Sequence, residues 1–193
     1  MVFWQKLGNF TYSFFSGIVI GLPVYITIND YLFYVARVEG TSMQPTLNPN
    51  HRKKSDVVIL DRWNASTENI QRGDIVALTS PTDHTISFIK RIIGLEGDFI
   101  RTPRYKNDYV YVPRGHCWVE GDNVRSSLDS NSFGPVSLGL VKGRATHIVW
   151  PPKRWSKLEH NIPPFRSPTI PKKIKVIYDN VIYEREDTIE NQP

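Results

Sequence analysis

A serine in a turn after an apolar run is the first candidate catalytic residue of this chain. Ser42 lies in Val38-Glu-Gly-Thr-Ser-Met-Gln-Pro-Thr-Leu47, directly after the strand-like run 31–38. Gly40 admits backbone angles closed to other residues, and Pro45 disfavours helix in the residue before it. A serine presented in this way can project its hydroxyl into a groove, but that hydroxyl needs a base to become a useful nucleophile. Because the chain has no Gly-x-Ser-x-Gly elbow and no recognisable histidine triad motif, we expect a different kind of base.

A lysine is the candidate base. Lys90 lies in Thr85-Ile-Ser-Phe-Ile-Lys-Arg-Ile-Ile-Gly94, where strand alternation places it on one face with Ile86, Phe88 and Ile92. Burial among such residues disfavours the ammonium form and lowers the pKa of a lysine by up to roughly 3–5 units. Neutrality near pH 7–8 requires a drop of roughly 3 units, or about 4 kcal/mol. We therefore expect Lys90 to accept the Ser42 proton during attack on a peptide carbonyl.

Four motifs follow one another along residues 38–136. They are Gly40-Thr-Ser-Met-Gln-Pro-Thr46, Arg72-Gly-Asp-Ile-Val76, Phe88-Ile-Lys-Arg-Ile-Ile-Gly94 with Gly97-Asp98, and Gly121-Asp-Asn123 with Ser127-Leu-Asp-Ser130. In content and order they resemble the successive boxes of type I signal peptidases. The ending Asp129-Ser-Asn-Ser-Phe-Gly-Pro-Val136 looks most like the second-subunit branch of the mitochondrial inner membrane proteases within that family.

The resemblance implies a mainly β fold, a signal-peptidase-like antiparallel catalytic domain, and a serine endopeptidase activity. It implies Ser42 as nucleophile and Lys90 as general base, with Ser127 orienting the lysine and Asp129 and Ser130 supporting the site. No metal and no cofactor is expected. The substrates implied are precursor proteins with cleavable sorting signals and small side chains near the cut.

The same resemblance implies a place in the cell and a partner. It predicts the mitochondrial inner membrane, with the N-terminus in the matrix and the catalytic domain facing the intermembrane space. It also predicts contact with inner membrane lipid and a heterodimer with inner membrane protease subunit 1.

Two positions depart from the pattern of the family. Some bacterial members carry a serine two places before the nucleophile, where this chain has Gly40, so the Ser42 backbone amide is the expected oxyanion donor. Loss of one such donor costs roughly 100- to 1000-fold in rate where it is used. Asn131 stands where many members have arginine, and we expect an amide hydrogen bond to replace an ion pair with Asp129.

The N-terminal segment predicts a membrane anchor. Residues 7–29 contain no charged residue, and about 20 mainly apolar residues cross a bilayer core. Pro23 should kink a helix there, which membrane spans tolerate. We favour a retained anchor over a cleaved signal peptide, since Lys6 is the only early charge and no Ala-x-Ala site follows; a buried soluble helix is the other alternative.

Short apolar runs separated by turn-forming residues predict an antiparallel β domain between residues 31 and 152. The runs are 57–60, 75–78, 86–93, 109–112, 117–119 and 143–150. Arg91 faces away from Lys90 in this pattern and is expected to be a surface or interface charge. Asp122 and Asn123, in a turn by composition, are candidates to cap local backbone amides.

Residues 153–193 form the third predicted part, a basic, proline-rich C-terminal extension after an anchor at 1–30 and a catalytic domain at 31–152. It either docks on anionic lipid or a partner subunit, or is a solvated tail. The whole chain carries a formal charge of +5, a modest excess that does not favour a nucleic-acid partner. Cys117 is the only cysteine, which excludes an internal disulfide and is consistent with a small strand residue.

Two rival classes of function remain. A self-cleaving repressor uses a similar Ser–Lys pair, but it needs a DNA-binding domain where this chain has only the apolar residues 1–30. A catalytically silent, membrane-tethered scaffold subunit of a protease complex would carry the same motifs as structural residues.

Overall fold

The computed structural model describes residues 2–49, 55–65, 69–102, 104–162, 166, 173–178 and 181–186. A long N-terminal helix, α1 (Val2–Thr27), continues into a short π-helical turn, Ile28–Leu32. The predicted anchor therefore coincides with a helix whose described side chains, from Tyr12 to Ile28, are largely exposed. Among the described residues, no helix combines the length and the hydropathy needed to cross a membrane, so the predicted span is not confirmed.

Strands dominate the rest of the described chain. They are β1 (Phe33–Arg37), β2 (Val57–Asp61), β3 (Ile75–Thr79), β4 (Ser87–Leu95), β5 (Phe99–Arg101), β6 (Tyr109–Tyr111), β7 (His116–Glu120), β8 (Val136–Ser137), β9 (Val141–Trp150), β10 (Ser156–Lys157), β11 (Lys173–Tyr178) and β12 (Val181–Glu186), with one short helix, α2 (Ser130–Phe133). Each apolar run identified in the sequence overlaps one of these strands. The mainly β class is therefore confirmed.

Eight of the described strands form one antiparallel sheet in the order β1-β2-β9-β3-β4-β7-β8, and β10 pairs with β9. Strand β9 is central, since it pairs with β2 on one side and with β3 on the other. The strands β5–β6 and β11–β12 form two separate hairpins. Strands β2, β9 and β3 lie between β1 and β4 in this order, yet the turn after β1 and the middle of β4 line one groove.

The apolar core has three parts. One cluster joins side chains of β1, β2, β3 and β9 with Met43 and Leu47 of the Ser42 turn, and Leu158, just after β10, packs against it. A second cluster joins β3, β4, β7 and β8, and a third surrounds Trp118. Cys117 lies in the second cluster, where burial raises the pKa of its thiol to about 12. The prediction of Cys117 as a small strand residue is confirmed.

Candidate active site

The turn that carries Ser42 leaves β1 through a glycine with an unusual backbone. Gly40 has a φ of +84°, which L side chains rarely adopt. A serine at this position would be strained in this backbone. The structure thus gives a physical reason for one of the two departures from the family pattern.

A pair of buried polar residues closes this turn on itself. Asn48 donates from its side-chain amide to the carbonyls of Val38 (2.9 Å) and Gly40 (3.2 Å). Its backbone N–H donates to Asp56 Oδ2 (2.7 Å), and the Asp56 N–H donates to Asn48 Oδ1 (2.7 Å). Asn48 also has a φ of +54°, a conformation that asparagine tolerates better than most residues. These bonds fix both ends of the segment that presents Ser42.

A second contact to this turn comes from the Gly121–Asn123 turn. The Asn123 N–H donates to the Ser42 carbonyl (2.9 Å), and its side-chain amide donates to the Thr41 carbonyl (3.1 Å). The Thr41 and Ser126 hydroxyls are 3.0 Å apart and share a hydrogen bond. The expectation that Asn123 caps local amides is wrong, because its side chain reaches another part of the chain.

A buried ion pair anchors the Gly121–Asn123 turn to β4. Arg91 donates from Nε to Asp122 Oδ1 (2.8 Å) and from Nη2 to Asp122 Oδ2 (2.7 Å), while Nη1 donates to the Gly73 carbonyl (2.8 Å). Both side chains are almost fully buried. Arg91 is therefore not the surface or interface charge that the strand pattern suggested, because this turn and residues near Gly73 cover its face of β4. Asp122 likewise binds Arg91 instead of capping local amides.

On the other face of β4, Lys90 is only 3% exposed. Burial lowers the pKa of its amine to about 8, although the Asp129 carboxylate acts in the opposite direction. The amine lies 5.4 Å from the centre of the Phe88 ring. Ile92 is buried as expected, but Ile86 precedes β4 and is exposed. The apolar surroundings of Lys90 are confirmed except at Ile86.

Ser42 and Lys90 line one open groove of about 430 Å³. Its apolar lining comes mainly from β1, β2, β3 and β4, and the side chains that contribute include Ala36, Val38, Val58, Leu60, Ala77 and Ile89. Among the described residues, no hydrogen bond joins Ser42 Oγ to Lys90 Nζ. Hydrogen bonds of catalytic groups are often loose before substrate binds and tighten in the complex.

Ser127 and the Ser42 carbonyl both lie against the same side of Gly121. A Cβ added to Gly121 would meet Ser127 Oγ at 2.3 Å and the Ser42 carbonyl oxygen at 2.4 Å. Ser127 Oγ is buried and has no hydrogen-bond partner within the described residues. The bond expected between Ser127 and Lys90 is not formed here, so the orienting role of Ser127 stays a prediction.

Asp129 and Ser130 support the loop from inside. Asp129 Oδ2 accepts from the Gly121 N–H (3.1 Å), and its Oδ1 accepts from the Asn131 N–H and side-chain amide (both 3.1 Å). The amide hydrogen bond expected in place of an ion pair at Asn131 is therefore confirmed. Ser130, which is fully buried, accepts from the Val119 N–H at 3.0 Å.

The residues that sequence reasoning missed are polar side chains whose partners lie far along the chain. Arg154 pairs with buried Asp56 and donates to the Thr46 carbonyl (2.8 Å), and Arg166 pairs with buried Glu120. These two arginines therefore form ion pairs within the chain, and neither docks on lipid nor lies in a solvated tail, contrary to the expectation for this segment. Asp56 and Glu120 are acidic residues in or beside apolar strands. That placement was the one signal in the sequence that they need buried basic partners. Within the described residues, no group of three or more His, Cys, Asp or Glu side chains could hold a metal ion.

The close approach at Gly121 gives a testable expectation. We expect Gly121→Ala to lower kcat/KM roughly 100-fold, because the new methyl must displace Ser127 or the Ser42 backbone, and misplacement of about 1 Å costs that much. Gly139→Ala is the matched control, since its methyl would meet only Ser137 Oγ at 3.5 Å. Peptide cleavage and thermal unfolding of both variants check this. A Gly121→Ala enzyme as active as Gly139→Ala would contradict the close packing of these residues.

The groove exposes a half-buried serine on a turn held by hydrogen bonds, within an antiparallel β domain, and this arrangement fits a serine peptidase. The family described as "Signal peptidase, peptidase S26" matches over residues 11–112 and 101–150. The chain belongs to this family, and it is a serine peptidase of the signal peptidase I type.

Named relatives agree with this assignment. The chain is 56% identical over 158 residues to mitochondrial inner membrane protease subunit 2 of Danio rerio, covering 82% of this chain and 86% of the relative. It is 53% identical over 165 residues to subunit 2 of Homo sapiens, covering 86% and 93%. It is 41% identical over 125 residues to mitochondrial inner membrane protease subunit 1 of Homo sapiens, covering 63% of this chain and 72% of the relative.

Proposed function

We propose that the chain is a membrane-attached endopeptidase that removes sorting or signal peptides from precursors delivered to the mitochondrial intermembrane space. Ser42 is the nucleophile and Lys90 the general base. The observation that carries this proposal is the buried lysine, whose pKa lies at about 8, in the groove that also holds Ser42. An amine with that pKa is partly neutral under physiological conditions and can accept a proton.

The reaction follows from these two groups. Ser42 Oγ attacks the scissile carbonyl while Lys90 takes its proton, and the Ser42 N–H stabilises the oxyanion. Lys90 then passes the proton to the leaving amine, which departs and leaves an acyl-enzyme. Water gives a proton to Lys90 and attacks the ester, and Lys90 returns that proton to Ser42 as the acid product leaves.

The shape of the groove supports recognition of an extended peptide with small side chains near the cut. The alanines Ala36 and Ala77 lie on its lining, and a precursor segment can bond along a strand through its backbone groups. In this proposal Ser127 turns toward Lys90 when substrate displaces water, while Asp129 and Ser130 hold the loop.

The names of the relatives support a location and partners. We place the chain at the mitochondrial inner membrane, with the catalytic domain facing the intermembrane space and α1 in contact with lipid, where its exposed apolar side chains are favourable. Its partner is inner membrane protease subunit 1, which belongs to a related sequence group. A catalytically silent scaffold subunit is the alternative function.

Removal of the nucleophile distinguishes enzyme from scaffold. We expect Ser42→Ala to abolish cleavage of a precursor by the full chain in reconstituted inner-membrane vesicles, with and without subunit 1. Ser137→Ala, a serine outside the groove, should cleave like the parent chain. Equal cleavage by Ser42→Ala and the parent chain would overturn the site assignment, and a parent chain that never cleaves would favour the scaffold.

The lysine predicts a pH profile. Below pH 8 the Lys90 amine is mostly protonated and cannot act as a base, so kcat/KM should rise about tenfold per pH unit up to about pH 8 and then level off. Steady-state cleavage of a quenched fluorescent peptide between pH 6 and 10 measures this limb. A limb centred near pH 6.5, the ordinary range of histidine, would contradict Lys90 as the base.

A further inference from the structure

The carboxylate of Glu120, at the end of β7, is the centre of a buried polar cluster. It accepts from Trp118 Nε1 (2.8 Å) and from the Asn131 side-chain amide (3.0 Å). The guanidinium of Arg166 binds it through both Nε (2.6 Å) and Nη2. The Glu120 and Arg166 side chains are 7% and 10% exposed. Arg166 also donates to the Arg101 carbonyl at 3.0 Å, which fixes the plane of the guanidinium.

Asn131 connects this cluster to the candidate active site. Its side-chain NH₂ group donates both to Glu120 Oε1 (3.0 Å) and to Asp129 Oδ1 (3.1 Å), while its own Oδ1 is buried without a partner within the described residues. An amide in this orientation is held by its two acceptors. Asp129 in turn is the carboxylate whose charge acts on Lys90.

Charge balance explains why an arginine is needed here. Glu120 and Asp129 are two buried carboxylates joined by one neutral amide, so their charges repel. Arg91, the residue opposite Glu120 on β4, is already bound to Asp122. The guanidinium of Arg166 therefore supplies the compensating charge for Glu120, and a bidentate pair also fixes the direction of the carboxylate.

We propose that Arg166 is a positioning residue of the active site, which holds Glu120 so that Asn131 keeps the Asp129 carboxylate in place beside Lys90. The C-terminal segment thus supplies the positive charge of this cluster, in which residue 131 is a neutral asparagine. This inference rests on the proposed function, since it takes Lys90 as the general base.

The effect on Lys90 has a definite sign. Without the Arg166 charge, Glu120 adds an uncompensated negative potential behind Asp129, which stabilises the ammonium form and raises the pKa of Lys90. The base is then protonated over a wider pH range. Arg166→Gln leaves unchanged the charged side chains that share the groove with Lys90, which are Arg37, Glu39, Arg62 and Lys142.

The test compares four full-length variants with the parent chain: Arg166→Gln, Arg166→Lys, the double variant Glu120→Gln/Arg166→Gln, and Arg72→Gln. Arg72 forms an exposed pair with Asp98 and is the matched control for loss of an arginine. One readout is the pH dependence of kcat/KM on a fluorescent peptide. The other is the rate at which a small acylating reagent labels the Lys90 amine as a function of pH, read by mass spectrometry, which requires no catalysis.

We expect Arg166→Gln to move both profiles upward by about one pH unit and to lower kcat/KM at pH 7 about tenfold. Arg166→Lys should lie between this variant and the parent chain, because it keeps the charge and loses the bidentate geometry. The double variant should return toward the parent profile, since it removes the uncompensated carboxylate. Arg72→Gln should match the parent chain.

Two results would overturn the role of Arg166. One is an unchanged Lys90 labelling profile in Arg166→Gln. The other is a kcat/KM that is low in Arg166→Gln and still lower in the double variant, because that is the behaviour of a merely structural residue. If Arg166→Gln does not fold, Arg166→Lys and the double variant decide by the same two profiles. Cleavage by Ser42→Ala would contradict the proposed function. The Lys90 labelling profile tests the role of Arg166 without any turnover, so the two failures are distinguishable.

Discussion

Replacing Lys90 with methionine is expected to abolish peptidase activity and, at the same time, to stabilise the folded protein. Activity should fall roughly 10³- to 10⁴-fold, because Lys90 is the base proposed to take the Ser42 proton. Methionine has a similar length and no charge, so it fits the apolar surroundings that Lys90 occupies. An active-site change that raises stability is the signature of a residue kept for function.

The sign of the stability change follows from the pKa of Lys90. Folding lowers this pKa from 10.5 to about 8, so between these pH values the unfolded chain binds the proton and the folded chain does not. Stability therefore increases with pH across this window. Since each unit of pKa difference corresponds to about 1.4 kcal/mol, Lys90 costs the folded state on the order of 3 kcal/mol at pH 7.

Denaturant unfolding of the parent chain and Lys90→Met at pH 7 and pH 10.5 measures this cost. Lys90→Met should be more stable by about 2–3 kcal/mol at pH 7, and the difference should nearly vanish at pH 10.5. Lys153→Met is the matched control, because Lys153 is exposed and should show neither effect. A Lys90→Met chain that is less stable than the parent chain at pH 7 would show that Lys90 is not held in an apolar site.

Breaking the pair between Arg91 and Asp122 is expected to have the largest destabilising effect. Arg91→Met leaves the Asp122 carboxylate buried without its partner, a change that costs roughly 3–5 kcal/mol. It also releases the turn whose Asn123 binds the Ser42 carbonyl, so kcat/KM should fall roughly 100-fold in the fraction that remains folded.

A double variant separates these two effects. In Arg91→Met/Asp122→Leu no unpaired charge remains, so most of the stability should return while activity stays low, since the turn is no longer tied to β4. Arg72→Met is the control, because its exposed pair with Asp98 should contribute no more than about 1 kcal/mol. Denaturant unfolding and peptide cleavage check all three. An Arg91→Met chain within about 1 kcal/mol of the parent chain would contradict the importance of this pair.

Local patterns determined most of the strands in advance. The alternation around Lys90 placed the lysine on the face of β4 that also carries Phe88 and Ile92, and the residue order around Ser42 predicted a turn after β1. Both predictions depend only on the period of a strand and on the backbone preferences of glycine and proline. The motif order predicted the family, which the comparisons confirmed.

What the sequence by itself determined about this protein is thus the β class, the family and the two residues expected to react. Only the tertiary structure decided which polar side chains brace them, because strand pairing is not local: β9 lies between β2 and β3, and Arg166 meets Glu120 from beyond the sheet. Arg91 shows the reason most clearly. Strand alternation says that it faces away from Lys90, but whether that face meets water or a buried aspartate depends on a turn far along the chain.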